Sequence, residues 1–409
     1  MESTRILKPA AGIQSNMKAT QNAQPRRVLF LQDHLEIGGA ARAAGRFMRQ
    51  LEKMGIEVGV AAGDAKTGSA SFRITGKPER GFGRIRELLG SPDSISQKRH
   101  EKALEALKRT LKTFQPDLVW IHNVHGGFKW GWSLRMVELA LEAAPVFWTL
   151  HDMWALGDGP SYFPGGELGK RWGHSPLVSL QGVIQRGQCT LLTPSVWLRD
   201  LVRSVYPGRC EAWPNPLDVE IFHPGTREKA REELGLKSDE ILLLAAAENL
   251  ADPRKGIDLL REAWRVIRSH KSVRLGLIGR NCPKELKEDP KVREFGPLAS
   301  EARVAELMSA ADLFVHPALV ESYGLVLEEA QASGTPVVAF AGGGVEETFQ
   351  QGATGWIMHE RSAQSLQRML DPLLQHHSKL KEARAACRGH MVHKHGEETF
   401  ARLWIEYRP

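Results

Sequence analysis

Residues 314–336 read FVHPALVESYGLVLEEAQASGTP, and within them two carboxylates, Glu321 and Glu329, lie eight positions apart. Glu321 falls in a loop after an apolar run. Glu329 falls one or two turns into a helical pattern that Gly334 ends and Pro336 prevents from continuing. A carboxylate accepts the hydrogen bonds that hydroxyl groups must donate, so such a pair suits the hydroxyls of a sugar and a ribose. Glu328 and Glu329 fit the exposed face of an ordinary helix equally well. Upstream, Arg254 and Lys255 stand before Gly256 and an amphipathic pattern, which would set two cations opposite a diphosphate. Paired basic residues at a helix start are, however, usually just solvated. Gly38 and Gly39 precede another helix start, where backbone N–H groups and the helix dipole favour a phosphate, and a plain turn fits them too. His151 and Asp152 follow the apolar run 145–150, either at a ligand or as a solvated loop.

The elements that must position these groups alternate between short apolar runs and helical patterns. RVLFLQ (27–32), IEVGVAA (56–62), DLVWIHN (117–123) and PVFWTLHD (145–152) read as strands, and GAARAAGRFMRQLEKMG as a helix after the first. The alternation restarts at EILLLAAA (240–247) and runs on through VRLGLIG (273–279), DLFVHP (312–317) and PVVAFAG (336–342). It predicts an α/β fold with parallel sheets covered by helices on both faces. A single core stops growing near roughly 250–300 residues, so 409 residues imply two doubly wound lobes. The proline-containing stretch WPNPLDVEIFHPGTR places their junction near 215–225. The expected divisions are a leader over 1–25, a first lobe over 26–220, a second over 221–395 and a final helix over 396–409 that packs back on the first lobe. Ligands of such sheets bind at the carboxyl ends of the strands, where the candidate residues stand.

Composition narrows the partners. The net charge of +7 is spread along the chain, which argues against a nucleic-acid partner and allows a phosphate-bearing ligand or an anionic lipid surface. Arg42, Arg46, Arg49, Lys53 and the basic 77–112 region read mostly as exposed helix charges, with lipid contact the alternative. Cys189, Cys210, Cys282 and Cys387 lack metal-type spacing, as expected of reduced thiols in the cytoplasm. No apolar run reaches the length of a membrane span. No metal-binding D-x-D motif occurs, Asp152 and Asp158 being six apart.

The run ESYGLVLEEAQASGTPVVA (321–339) resembles the E-x7-E signature of family 4 glycosyltransferases. Further landmarks follow in the family's order: GGAARAA (38–44), TLHDMW (149–154), TPSVWL (193–198), PNPLD (214–218), DPRKGIDLL (252–260), GLIG (276–279) and GGGVEETFQQGATGW (342–356). HNVHGG (122–127) and TLHDMW are similar to stretches of the subgroup with colanic-acid-type exopolysaccharide transferases. The resemblance implies the GT-B arrangement, two Rossmann-like lobes facing across a cleft, and sugar transfer with retention from a nucleotide-diphosphate sugar to a glycan or lipid-linked acceptor, without a metal. By the same resemblance Glu321 contacts the donor sugar, Glu329 the ribose, Lys255 the diphosphate, and His151 the sugar beside the scissile bond. Gly38 and Gly39 approach the phosphates, and Tyr323, Gly324 and Leu325 open the helix whose amides meet them. Where relatives carry a Gly-Arg pair this chain has Ala247, Glu248 and Asn249, which leaves Arg254 and Arg280 as the candidates for that charge. The segment ALGDGPSYFPGG lacks the subgroup's cysteine, which puts the acceptor in question. A catalytically silent scaffold of a polysaccharide-assembly complex, or a nucleotide-sugar epimerase or hydrolase, is the alternative reading.

Overall fold

The computed structural model describes residues 25–35, 38–65, 71–75, 92–157, 176–186 and 188–408. The leader, except Pro25, lies outside them, as do Asp158 with the glycine-rich stretch that follows it, and residues 76–91 of the basic region.

Two parallel sheets carry the chain. In the first, β1 (Arg27–Gln32), β2 (Glu57–Ala62), β3 (Ser71–Arg73), β4 (Leu118–Ile121), β5 (Val146–Thr149), β6 (Cys189–Thr193) and β7 (Cys210–Ala212) lie in the order β3-β2-β1-β4-β5-β6-β7. In the second, β8 (Ile241–Asn249), β9 (Val273–Arg280), β10 (Val292–Gly296), β11 (Leu313–His316), β12 (Val337–Phe340) and β13 (Gly355–Met358) lie in the order β10-β9-β8-β11-β12-β13. Each sheet winds outward in both directions from its first strand, the doubly wound pattern. Helices α1 (Gly39–Lys53), α2 (Pro92–Phe114), α3 (Arg135–Ala143), α4 (Pro176–Arg186) and α5 (Val196–Arg203) belong to the first lobe. The rest are α6 (Arg227–Glu233), α7 (Ile257–Ile267), α8 (Lys284–Lys287), α9 (Glu301–Ala310), α10 (Leu325–Ala332), α11 (Ala363–Gln375), α12 (His377–His395) and α13 (Glu397–Tyr407).

Helices cover both faces of each sheet, and this is why β4, β5, β11 and β12 are buried at every residue and read as continuous apolar runs. The final helix crosses between lobes. α12 buries Cys387 and Met391 against the second lobe, and after Gly396 the chain turns so that Phe400 and Trp404 of α13 join Phe47, Trp120 and Trp213 in the core of the first. The Trp404 and Trp120 rings stack with centroids 6.2 Å apart. The loops after β5 and β11 meet as well, Ser322 donating to the His151 carbonyl, so the carboxyl ends of the two sheets face each other.

Candidate active site

After β8 a single turn, Pro253–Lys255, brings Lys255 to the head of α7, with the Asp252 carboxylate accepting from Arg254 N. Lys255 Nζ donates to Glu321 Oε1. Glu321 lies in the loop after β11, and Gly343 holds its backbone: Gly343 has φ 73° and a side chain there would start 1.7 Å from the Glu321 carbonyl oxygen. His316, the last residue of β11, brings Nε2 to 3.7 Å from the same Glu321 oxygen. Burial pushes the Glu321 carboxyl up, but the Lys255 ammonium and His316 outweigh it and hold the group below the usual carboxylate value. Burial drives His316 down to about 4, with Glu321 opposing and Lys255 assisting.

One turn further on, Gly324 takes the left-handed conformation, φ 95°, that starts α10. The helix thus begins at Leu325, two residues later than Tyr323. The Tyr323 ring is buried in the second lobe, where its hydroxyl donates to Glu328 Oε1 at 2.5 Å. Glu328 also receives Lys394 Nζ at 2.7 Å and lies 3.0 Å from His395 Nε2, both at the end of α12. Glu329 sits on the cleft side, 2% exposed, and accepts from Arg46 Nη2 at 2.6 Å. The exposed-helix reading of Glu328 and Glu329 is thereby overturned: both are buried and both are held by cations.

The same contact corrects the reading of the first-lobe bases. Arg46 is 2% exposed and donates from Nε and Nη2 to Glu301 Oε1 at 2.9 and 2.7 Å, while Arg49 Nη2 takes Glu301 Oε2 at 2.9 Å. Lys53 pairs with Glu397 of α13 at 3.0 Å. Three of the four α1 cations thus bridge to the second lobe or the final helix, and Arg42 alone of the four is exposed without such a bridge among the described contacts.

Across the cleft, His151 Nε2 lies 2.7 Å from His122 Nδ1 and the rings stack at 5.0 Å. Burial first, and His125 second, bring His151 down to about 3, and burial with the His151 neighbour holds His122 well below its usual value. Both rings are neutral at neutral pH, so one nitrogen donates and the other accepts. The His151 carbonyl accepts from Ser322 Oγ at 2.5 Å, and Ser195 Oγ donates to the Ser322 carbonyl at 2.7 Å. Glu347 of the second lobe accepts from Val196 N and Trp197 N at 2.7 Å each, capping α5 from the other side of the cleft. Gly38 precedes α1, within reach of the second lobe: a methyl group on it would lie 3.8 Å from Glu248 Oε2. Gly39 is exposed at the first position of α1. Arg280 Nη2 is held by Glu248 Oε1 at 2.7 Å, and Arg254 Nη2 by Asp252 Oδ2 at 2.6 Å. Of these two, Arg254 acts on the Glu321 carboxyl.

The fold matches solved structures. Over 93% of this chain and 98% of the other, it superposes on Anabaena HepE in complex with UDP-glucose with a TM-score of 0.67 at 17% identity. The family profile of glycosyl transferases group 1 matches residues 226–389, and that of Glycosyltransferase Family 4 matches residues 37–221. A D-inositol 3-phosphate glycosyltransferase of Catenulispora acidiphila is 31% identical over 51% of this chain, which spans 51% of that protein. This chain spans about half the length, or less, of several such curated relatives. Against that of Acidothermus cellulolyticus the identity is 31% over 85% of this chain and 83% of the relative. The chain belongs to the family 4 glycosyltransferases.

In this glycosyltransferase the structure gathers Lys255, Glu321, Gly324, Leu325 and Glu329 on the second lobe, with His151, Gly38 and Gly39 opposite. Arg280, at the end of β9, pairs with Glu248 and has no pair with Glu321 among the described contacts. Sequence reasoning missed Arg46, His122, His316, Ser322 and Glu347. Arg46 carried a signal: it lies on the buried stripe of α1 with Ala43, Phe47 and Leu51, where a charge demands a partner. His122 follows β4 as directly as the polar residues follow β5.

Proposed function

We propose that this glycosyltransferase moves a sugar, with retention of configuration, from a nucleotide-diphosphate sugar bound on the second lobe to a glycan or lipid-linked acceptor on the first, in cell-envelope or exopolysaccharide assembly. The observation that carries the reading is the Lys255–Glu321 pair at the head of α10, with Glu329 one turn beyond. As the anomeric carbon–oxygen bond breaks, charge grows on the leaving diphosphate. The Lys255 ammonium, Arg254 and the amides at the start of α10 offset it with dipoles and charges already in place. The acceptor oxygen bonds to the anomeric carbon and its proton passes to the leaving phosphate, so no side chain is needed as base. Glu321 and the neutral His151 hold sugar hydroxyls and Glu329 holds the ribose, each by accepting hydrogen bonds. No metal ion takes part in this scheme. Contact with an anionic membrane would fall to Arg42 and the exposed bases of α2, and salt-insensitive or absent flotation with anionic vesicles would rule it out.

The test is a thermal-shift series with nucleoside diphosphates and nucleotide sugars on the wild type, Lys255→Ala and the double variant Lys255→Ala/Glu321→Gln. The double variant removes the lone buried carboxylate that Lys255→Ala leaves behind. One nucleotide at about a hundred times its dissociation constant adds about 2.7 kcal/mol, and both variants should lose that shift. A folded wild type that responds to none of them would overturn the proposal.

A further inference from the structure

The donor loop meets the first lobe one residue before an aromatic shelf for which the donor chemistry has no use. Ser322 Oγ binds the His151 carbonyl, and Asp152 follows. Asp152 Oδ1 accepts from Trp154 N at 2.9 Å, fixing the turn Trp154–Leu156 with the indole half-buried. That indole stacks on His125 with centroids 4.8 Å apart and planes at 28°, and Phe128 meets it edge-on at 5.7 Å. Phe128 is 46% exposed, a large aromatic ring left in water at the carboxyl edge of β4. Asp152 Oδ2 lies 3.6 Å from His125 Nε2, so a carboxylate and an imidazole frame the rings. The electron-rich face of an aromatic ring attracts the C–H face of a pyranose, while the framing groups take its hydroxyls.

The charges beside the shelf argue for an uncharged sugar. Lys129 Nζ lies 2.7 Å from His34 Nε2 and 4.4 Å from the centre of the Trp130 ring, and His34 Nδ1 is 2.9 Å from Asp64 Oδ2. The ammonium is thus engaged in a chain that ends on a carboxylate. A phosphate laid on Trp154 would meet Asp152 at once, at a cost that a neutral ring avoids.

We propose that Phe128, Trp154, His125 and Asp152 form the acceptor subsite and that it takes an uncharged pyranose unit of a glycan. This rests on the glycosyl-transfer reading above. It departs from the phosphorylated cyclitol in the names of the curated relatives. The subsite lies beside His151, where the donor loop crosses, so a sugar on it would present a hydroxyl to the donor's anomeric carbon.

The experiment is saturation-transfer NMR on the full chain with its preferred nucleoside diphosphate bound. The probes are the methyl pyranosides of glucose, galactose and mannose, with D-inositol 3-phosphate and inorganic phosphate as competitors. Transfer to the ring C–H protons of at least one pyranoside is expected, reduced at least fivefold in Phe128→Ala and in Trp154→Ala. The nucleotide-induced thermal shift should persist in both variants. Phe128, being exposed, can be removed without disturbing the core. Three results would overturn the proposal: no transfer to any pyranoside, transfer unchanged in both variants, or transfer only to the inositol phosphate. If instead no nucleotide binds the wild type, the glycosyl-transfer reading itself has failed, a distinct outcome visible before any pyranoside is added.

Discussion

Arg46 is one guanidinium placed between two carboxylates of the opposite lobe, Glu301 and Glu329. Burial alone would lower its pKa; Glu329 and Glu301 reverse that and raise it, so the charge is kept. Removing one partner of a buried ion pair typically costs about 3–5 kcal/mol, because the other charge is left in a low dielectric. Arg46→Ala should therefore lower the denaturant-derived stability by about that amount, moderated by the partial exposure of Glu301. Replacing both ends, Arg46→Met with Glu329→Met, should recover much of the loss while nucleotide affinity falls, because Glu329 is then missing from the ribose. Urea titrations of the two variants, paired with nucleotide titrations, check both halves. A double variant that keeps its nucleotide affinity would remove Glu329 from the donor site. At this scale the sequence offered Lys255, Glu321 and Glu329 through the resemblance of their surroundings to the family signature, spacing alone leaving the helix-face reading open, and the structure sets Lys255 against Glu321. It could not show which cation answers Glu329, because Arg46 is 283 residues away along the chain.

Among the elements, α13 ties the second lobe to the core of the first. Its Trp404 is fully buried in the first-lobe core, edge-on to Phe147 and stacked on Trp120, although the helix follows directly on α12 of the second lobe. Truncating a buried Trp to alanine costs about 3–5 kcal/mol. Trp404→Ala should show that loss in chemical unfolding, and small-angle scattering should record a larger radius of gyration as the first lobe loses its tie to the second. An unchanged radius would mean that the cap of Glu347 on α5 and the Arg46 pairs hold the lobes without it. The amphipathic pattern of α13 was legible, as were the strands buried on both faces, since continuous apolar runs have no other place in a parallel sheet. β3, β6, β7, β10 and β13 were not, being three to five residues each, several at sheet edges, and sequences such as SFR and VREFG carry no period to read. The late start of α10 escaped for a related reason: Gly324 reads as a helix residue until its left-handed backbone is seen.

Taken as a whole, the molecule holds three imidazoles where its two sheets converge, His122 and the half-buried His151 on one lobe and the buried His316 on the other. His151 is brought to about 3 and His316 to about 4 by burial above all, and His122 is lowered as well. In the unfolded chain each titrates near 6.5, so between that value and the folded one the unfolded state binds more protons. Stability then rises with pH across the window. It is fully present above about pH 6.5 and is lost as pH falls toward 4, at a slope approaching 1.4 kcal/mol per pH unit for each histidine. The depressed Glu321 and the Glu328 carboxyl, at about 2, act in the same direction only once the pH nears the ordinary carboxylate range. Urea midpoints at pH 7.5, 6.5 and 5.5 at constant ionic strength should therefore decline, and His316→Gln should reduce the slope by about one proton's worth. A midpoint that stays flat to pH 5.5 would mean that the imidazoles take up protons without unfolding. The cleft would then open locally to water, and nucleotide affinity would fall over the same interval while the fold persisted.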